Sequence, residues 1–225
     1  RRSSELIKYA SNSMLAMRII FINEIADLCE KIGADVTDIA KGIGLDKRIG
    51  PHFLEPGPGF GGSCFPKDAR ALIESGKKYD APQTLLESVI LGNENRKKNI
   101  SKKILNKLDK QTENQIGILG VTFKAETDDM RESPSLIIIP DLQENGMNIS
   151  VYDPEGEKEA SKILKDVNWK KTAYEAAENV DCLVILTDWE EFKNLDLDKI
   201  KNSMKRPLIY DFRNIFDPDM MTELG

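Results

Sequence analysis

The run Gln115–Val121, which reads QIGILGV, decides the fold class of the chain. It follows a polar stretch, and its short, apolar and partly β-branched character indicates a buried strand. Further strands are predicted at Met147–Tyr152, Asp181–Thr187 and Leu208–Asp211, and helices at Ser135–Gln143, Glu157–Lys165, Ala173–Glu178 and Leu197–Lys201. Because strands that alternate with helices pair in parallel through crossover connections, residues 111–225 are predicted to form an open parallel α/β sheet domain, covered by helices on both faces.

The residues before this domain show only helical periodicity. From Ser4 to Ile32 the apolar residues recur every three or four positions, and Gly33 supplies a left-handed stop. At about 1.5 Å per residue this helix would be roughly 40 Å long, which favours packing of its apolar face on a second subunit. Further helices are predicted at Val36–Gly42, Pro66–Tyr79 and Pro82–Leu108. Residues 1–110 are therefore predicted to form an all-helical dimerisation domain, and the protein a homodimer.

The composition excludes several classes of protein. Hydrophobic residues make up 40% and charged residues 31% of the chain, which is typical of a folded globular protein. The net charge of -6, without a long basic block, argues against a nucleic-acid partner. The apolar runs are far shorter than the roughly 20 residues that cross a bilayer, and no leader precedes them, so we predict a cytoplasmic protein without membrane contact.

The three cysteines must each be interpreted singly. Cys29, Cys64 and Cys182 are odd in number and widely separated, so they predict neither a disulfide framework nor a metal site. Cys29 has the spacing of a helix core position and Cys182 lies in an apolar strand, and both are expected in the core. The single histidine, His52, limits any mechanism that needs an imidazole base.

The segment 55–68, EPGPGFGGSCFPKD, has the strongest chemical signal. Its glycines allow the backbone to approach a ligand closely, and Pro66 suits the first turn of a helix. Cys64 would then lie at a helix N-terminus, where free amides and the nearby Lys67 stabilise a thiolate. Asp68, four residues on, would face the thiol and could hold or deprotonate a water molecule. The glycine run follows no convincing strand, so we do not interpret it as a dinucleotide-binding turn.

Two residues of the long helix could assist this cysteine. Lys8 and Asn12 are spaced i and i+4 and could present an ammonium and an amide to an oxygen that becomes negative during a reaction. Taken alone, such residues are usually solvated. The residues themselves also leave open a structural Cys64 with solvent-facing neighbours, and a thiol hydrolase that pairs Cys64 with His52.

Three segments resemble the UDP-glucose/GDP-mannose dehydrogenase family. Residues 57–72, GPGFGGSCFPKDARAL, are similar to its catalytic-cysteine segment, and residues 5–24, ELIKYASNSMLAMRIIFINE, to its central helix. Residues 117–133, GILGVTFKAETDDMRES, are similar to the start of its C-terminal UDP-binding domain. The segment 61–68, GGSCFPKD, looks most like the UDP-glucose members of the family. The resemblance implies a helical central domain followed by a Rossmann-like domain.

The resemblance also implies a reaction. The family oxidises the primary alcohol of a nucleotide sugar to a carboxylate in two hydride transfers to NAD, and no metal is implied. By similarity, Cys64 binds the intermediate aldehyde as a thiohemiacetal, which is oxidised to a thioester and hydrolysed. Lys8, Asn12 and Asp68 would have the roles given above. The implied substrate is UDP-glucose, with GDP-mannose and UDP-N-acetylmannosamine as alternatives.

A set of binding residues follows from the same resemblance. The substrate would be held by the loop before the cysteine, by an arginine that reaches across the dimer, and by side chains at strand ends of the second domain. In chain order these residues are Arg48, Glu55, Pro56, Gly57, Pro58, Gly59, Phe60, Gly61, Phe123, Lys124 and Arg213. NAD would be contacted by Lys67 and Arg131.

The chain departs from the family pattern at its start. Family members begin with a Rossmann domain that binds NAD, and nothing before Arg1 supplies it. The chain is therefore expected to be a fragment, inactive by itself but able to bind UDP-sugars as a dimer. A dimerisation and nucleotide-binding module without catalysis is the alternative of another class.

Overall fold

A computed structural model of the chain describes residues 2–108 and 114–225. The chain divides into two compact units, Arg1–Arg96 and Lys97–Gly225. The predicted domain boundary between residues 110 and 111 lies outside the described residues. The division at Arg96 falls within a helix, because the later helical residues Ile100 and Ile104 belong to the hydrophobic core of the second unit.

Helices and loops make up the first unit. The helices are α1 (Arg2–Ile32), α2 (Val36–Gly44), α3 (Phe65–Lys78) and α4 (Thr84–Leu105), of which α4 continues into the second unit. These bounds confirm the helices predicted from apolar spacing, and Gly33 has the positive φ of 74° that a stop after α1 requires. Ala16 and Ile20 of α1 pack with α3 and α4, whereas Ile22 and Ala26 pack with α2.

The length of α1 raises the question of a membrane span. The helix has 31 residues, but acidic and basic side chains occur along much of it. Among the helices of residues 2–108 and 114–225, none combines the length with the apolar character that crossing a bilayer requires.

The second unit is a parallel sheet flanked by helices. Its strands are β1 (Gln115–Leu119), β2 (Asn148–Tyr152), β3 (Val167–Trp169), β4 (Cys182–Ile185) and β5 (Ile209–Asp211). Its further helices are α5 (Ser135–Glu144), α6 (Glu157–Ala160), α7 (Ala173–Ala177), α8 (Glu190–Lys193), α9 (Leu197–Ser203) and α10 (Pro218–Leu224). The strand order is β3-β2-β1-β4-β5, and each neighbouring pair is parallel. The predicted open parallel α/β sheet is thus confirmed.

Some short elements differ from the sequence prediction. β3, α8 and α10 are not predicted, and β3 has only three residues, none of them fully buried, so its apolar signal is too weak to detect. The helix predicted over Glu157–Lys165 is wrong in its second half, since α6 ends at Ala160. The chain turns there, which brings Leu164 into the core, and the Gln143 amide donates to the carbonyl of Lys165.

The two faces of the sheet have separate cores. Ile116 and Ile118 of β1 pack with α5 and the end of α4, whereas Leu119 packs with α7 on the opposite face. Gly117 also faces α7, and a Cβ there would lie 2.4 Å from the carbonyl oxygen of Ala176. Glycine at this position therefore lets α7 approach the strand closely. Because the strands are parallel, β1, β2, β4 and β5 all end at one edge of the sheet, where ligands of such folds bind.

Candidate active site

The glycine- and proline-rich loop of the first unit is buried and held by side chains of α1 and α4. Pro56 to Gly61 are all buried, whereas Glu55 is exposed. The side-chain oxygen of Asn23 accepts the amide of Gly57 at 2.7 Å. The Asn93 side chain accepts the Phe60 amide at 2.9 Å and donates to the Phe60 carbonyl at 3.1 Å. The loop is thus fixed although it forms neither helix nor sheet.

Arg96 also binds this loop, through its charged guanidinium. Its Nε donates to the carbonyl of Gly57 at 3.0 Å, and its guanidinium pairs with Asp27 of α1 at 2.5 Å. Sequence reasoning missed Asn23, Asn93 and Arg96. The available signal was their position, since each of these polar residues is spaced among apolar residues that face the core.

Cys64 lies where this loop becomes α3. It immediately precedes the helix, its side chain is exposed, and Pro66 lies in the first turn. The carbonyl of Cys64 accepts the Asp68 amide at 2.9 Å, which closes that turn. Unpaired amides and the helix dipole favour a negative charge at this end of a helix. The environment of Cys64 is therefore the one predicted from the sequence for a nucleophile, and that role stays a prediction.

The other two cysteines are in the core. Cys29 is 3% exposed and Cys182 is fully buried. Burial, assisted by the neighbouring Asp181 carboxylate, raises the pKa of the Cys182 thiol to about 12. Cys182 is thus held as a neutral thiol without access to solvent, as expected of a structural residue.

The structure brings together Lys8, Asn12 and Asp68. Asn12 on α1 donates to Oδ2 of Asp68 on α3 at 2.6 Å, and the Lys8 ammonium lies 3.7 Å from the same oxygen. The Asp68 side chain is fully buried, while that of Lys8 is 61% exposed. Oδ1 of Asp68 is buried and accepts no hydrogen bond from the described part of the chain. One carboxylate oxygen is therefore held by protein donors, and the other is available to a water molecule or ligand.

Native thiol labelling checks the different exposure of the cysteines. Iodoacetamide is expected to alkylate Cys64 at least about 100-fold faster than Cys29 or Cys182, because only a solvent-accessible thiolate reacts. Mass spectrometry of proteolytic peptides measures the three rates separately. The Cys64→Ala variant serves as the control and should lose the fast phase; fast labelling that persists in this variant would contradict the assignment.

A second group of predicted residues meets at the carboxyl edge of the sheet. Arg213, after β5, donates to the carbonyls of Phe123 at 3.2 Å and Leu186 at 2.7 Å. Its side chain is only 18% exposed. Burial lowers the pKa of its guanidinium, although the nearby carboxylates of Asp188 and Asp211 act in the opposite direction. The Lys124 ammonium is exposed and lies 5.6 Å from the centre of the Phe123 ring. Aromatic and cationic groups are thus presented side by side.

The remaining predicted residues lie on the surface. Arg48 binds Asp46 through two nitrogens, and this contact lowers the pKa of the Asp46 carboxyl. Arg131 binds Asp129 in the same way and lowers its pKa. Lys67 is exposed in the first turn of α3. These cations are accessible to a ligand, and their predicted binding roles stay predictions.

Comparisons with known proteins show the family of the chain. The sequence model of the UDP-glucose/GDP-mannose dehydrogenase family, central domain, matches residues 2–95, and that of the family's UDP binding domain matches residues 117–218. A UDP-glucose 6-dehydrogenase of Rhizobium meliloti (strain 1021) is 49% identical over 226 residues, which cover 100% of this chain and 52% of that protein.

Solved structures give the same result. A UDP-glucose dehydrogenase from Pyrobaculum islandicum matches with a TM-score of 0.84 and 33% identity, over 95% of this chain and 48% of that chain. A UDP-D-ManNAc dehydrogenase from Pyrococcus horikoshii matches with a TM-score of 0.79 and 26% identity, over 96% and 49%. The chain spans about half the length of the curated relatives it matches. Both family domains occur here in consecutive order, each on its own compact unit, and the chain therefore belongs to the UDP-glucose/GDP-mannose dehydrogenase family.

Proposed function

We propose that this chain supplies the central and UDP-binding parts of an NAD-dependent UDP-glucose 6-dehydrogenase, which oxidises UDP-glucose to UDP-glucuronate. The observation that carries the proposal is the group formed by Lys8, Asn12 and the buried Asp68, one helical turn from an exposed cysteine. The higher identity to a UDP-glucose 6-dehydrogenase than to the UDP-D-ManNAc enzyme supports UDP-glucose as the substrate.

The chemistry requires the cysteine to hold the substrate between two oxidations. The primary alcohol first loses a hydride and a proton and becomes an aldehyde. The Cys64 thiolate then adds to the aldehyde carbon, which forms a C–S bond and an alkoxide oxygen. Loss of a second hydride from that carbon leaves a thioester. Water attacks the thioester carbon and gives up its two protons, which pass by way of a carboxylate base to the solvent. The C–S bond breaks, and the carboxylate leaves while the thiolate is regenerated.

The neighbouring residues fit the charges that this sequence develops. Lys8 is exposed enough to place its ammonium beside the alkoxide oxygen, and Asn12 offers an amide next to it. Within the described residues, Oδ1 of Asp68 accepts no hydrogen bond, which suits a carboxylate that orients water for attack on the thioester. None of these steps needs an imidazole.

Substrate binding is assigned to both units. The buried loop Pro56–Gly61 would contact the sugar through its backbone, since its glycines leave room for close approach. Phe123, Lys124 and Arg213 would hold the nucleotide at the sheet edge through stacking and charge. Arg48, which is exposed, would reach the substrate of a second subunit.

NAD supplies the acceptor for both hydrides in this family. The described residues offer it exposed cations, Lys67 in the first unit and Arg131 in the second, but no strand–turn–helix cradle of free amides. At the turn after β1, the amides of Val121 and Thr122 are already bound to Asp153. We therefore expect the 225 residues alone to bind UDP-glucose without sustained NAD reduction.

A substrate comparison tests the proposed function. The protein expressed from its complete gene is expected to form two NADH per UDP-glucose, with a kcat/KM above those for GDP-mannose and UDP-N-acetylmannosamine. Calorimetry of the 225-residue chain is expected to show UDP-glucose binding. A preference for another nucleotide sugar would move the chain to that branch of the family. Hydrolysis of thioesters without added nucleotide would favour a thiol hydrolase. Binding of UDP-glucose by the complete protein without its oxidation would favour a non-catalytic module.

The dimer is proposed from an apolar stripe on α1. Ile7, Met14, Phe21 and Leu28 follow one another at seven-residue intervals, and each is between 50% and 65% exposed. Residues at this spacing share one face of a helix, and a long exposed apolar stripe is typical of a helix-to-helix interface. A second copy of α1, packed along this stripe, is the occupant that we propose.

A charge placed in this stripe is expected to dissociate the dimer. Phe21→Glu would bury a carboxylate against apolar side chains and should weaken dimerisation about 100-fold or more, as measured by sedimentation velocity across a concentration series. Ile163→Glu is the matched control, because Ile163 is 54% exposed but lies outside α1. Equal sedimentation of the Phe21→Glu variant and the unmodified protein would exclude this interface.

A further inference from the structure

Asp153, directly after β2, is a buried carboxylate surrounded by N–H groups. Its residue is 4% exposed. One oxygen accepts the amides of Val121 at 2.6 Å and Thr122 at 3.2 Å, and lies 3.4 Å from the Trp189 indole nitrogen. The other oxygen accepts the amides of Glu155 at 3.1 Å and Gly156 at 2.6 Å. Both oxygens are thus fully used within the fold.

These donors have the arrangement of an anion site. In open parallel sheets, the backbone amides just after the first strand commonly bind a ligand phosphate. Here the two amides after β1 point at the protein's own carboxylate. Gly156 makes room for it, since a Cβ there would lie 2.8 Å from the Asp153 oxygen. An internal anion is therefore bound by backbone amides of the turn after β1, the turn at which dinucleotide-binding sheets bind a phosphate.

The carbonyls of the same segment are bound from other directions. The Val121 carbonyl accepts the hydroxyls of Ser133 and Ser135, both at 2.6 Å. The Thr122 carbonyl accepts the Thr187 hydroxyl at 2.7 Å. Hydroxyls thus hold the carbonyl side of Val121 and Thr122, while Asp153 accepts both of their amides. Removal of this acceptor would release one side of the segment that leads into Phe123 and Lys124.

We propose that Asp153 is a positioning residue: its carboxylate occupies the anion site after β1 and thereby holds the segment that presents Phe123 and Lys124 to the nucleotide. The second half of this proposal rests on the proposed UDP binding, whereas the first half concerns the fold alone. It follows that this turn binds no phosphate, so the nucleotide is held by side chains and not by the strand-end amides.

Chemical rescue separates this role from a general loss of stability. Asp153→Ala leaves a small cavity lined by N–H groups, which formate can enter. Hydrogen exchange over residues 120–124 is expected to rise about tenfold or more, and the UDP affinity of the chain to fall about tenfold. A formate titration should reverse both effects in a saturable way. The chain has two tryptophans, so Trp169→Phe leaves Trp189 as its single tryptophan. Because the Trp189 indole nitrogen lies beside the Asp153 carboxylate, its fluorescence then reports formate binding directly.

Two further variants make the outcome decisive. Asp181→Ala is the matched control, since Asp181 also accepts a backbone amide, that of Gln115, but at the opposite end of the sheet. It should change neither exchange over 120–124 nor UDP affinity. Asp153→Asn keeps the size of the side chain and should raise hydrogen exchange without rescue by formate, because no cavity forms. If the alanine variant does not fold, exchange in the asparagine variant tests whether the Asp153 carboxylate holds the segment.

The possible results are distinct. Exchange over 120–124 that is unchanged in both Asp153 variants, or that formate does not slow in Asp153→Ala, overturns the proposal. Unchanged UDP affinity in the presence of faster exchange overturns the link to the nucleotide. If the unmodified chain fails to bind UDP, the proposed function fails for this chain, and exchange with formate rescue still decides whether Asp153 holds the segment.

Discussion

Replacing Cys64 with alanine is expected to abolish acid formation from UDP-glucose in the protein expressed from the complete gene. The loss in kcat should reach a factor of about 10⁴ or more, because Cys64 is the exposed cysteine of this chain and water must otherwise attack without a thioester. Cys29 and Cys182 cannot substitute, since both are buried. Production of UDP-glucuronate, measured by chromatography together with NADH, checks this result.

A neighbouring variant controls for disturbance of the loop. Ser63→Ala removes a hydroxyl that lies 3.7 Å from the Cys64 sulfur and leaves the thiol in place. We expect it to retain most of the activity and the fast alkylation. If the Cys64→Ala variant forms acid at the rate of the unmodified protein, the assignment of Cys64 as the nucleophile is wrong, whatever the control shows.

Replacing Asp68 with asparagine is expected to stall the reaction after covalent capture. The change removes the charge that faces Lys8 and replaces the carboxylate by an amide, which no longer accepts a proton from water. We expect kcat to fall by about 10² to 10⁴. Hydrolysis should be slowed more than capture, so a covalent adduct on Cys64 should accumulate and be visible by intact-protein mass spectrometry.

The control for this variant must separate charge from chemistry. Asp38→Asn on α2 removes a carboxylate that is 78% exposed and paired with Lys41, and it should leave turnover and adduct level unchanged. Thermal unfolding of both variants shows whether the buried Asp68→Asn change merely destabilises the chain. A folded Asp68→Asn variant with normal kcat and no adduct would contradict the role of Asp68 in hydrolysis.

The apolar pattern predicted most of the architecture. Runs such as Gln115–Val121 and the three-and-four spacing of α1 report burial directly, because a strand or helix in a core must turn apolar side chains to one or both faces. Short elements with weak burial escaped this reasoning. β3 at the sheet edge and the turn that ends α6 at Ala160 depend on contacts distant in sequence, and not on a local repeat.

The candidate site divides in the same way. Cys64 beside Pro66 at a helix start, and Lys8 with Asn12 one turn apart, were visible as local spacing. The local spacing did not show that Asp68 is fully buried, with one oxygen contacted by both Asn12 and Lys8. These residues lie on α1 and α3, which are separated by more than 30 residues of chain. The same holds for Asn23, Asn93 and Arg96, whose hydrogen bonds shape the loop before Cys64.

By itself, the sequence predicted the longer helices and strands, the family and which thiol is the candidate nucleophile, because these follow from residue type and short-range spacing. Tertiary structure alone decided which polar groups are satisfied. Asp153 accepts amides from the end of another strand, and Arg213 reaches carbonyls of two other segments. Such pairings arise because buried donors and acceptors must find partners wherever the packed chain brings them, and no local pattern records which partner that will be.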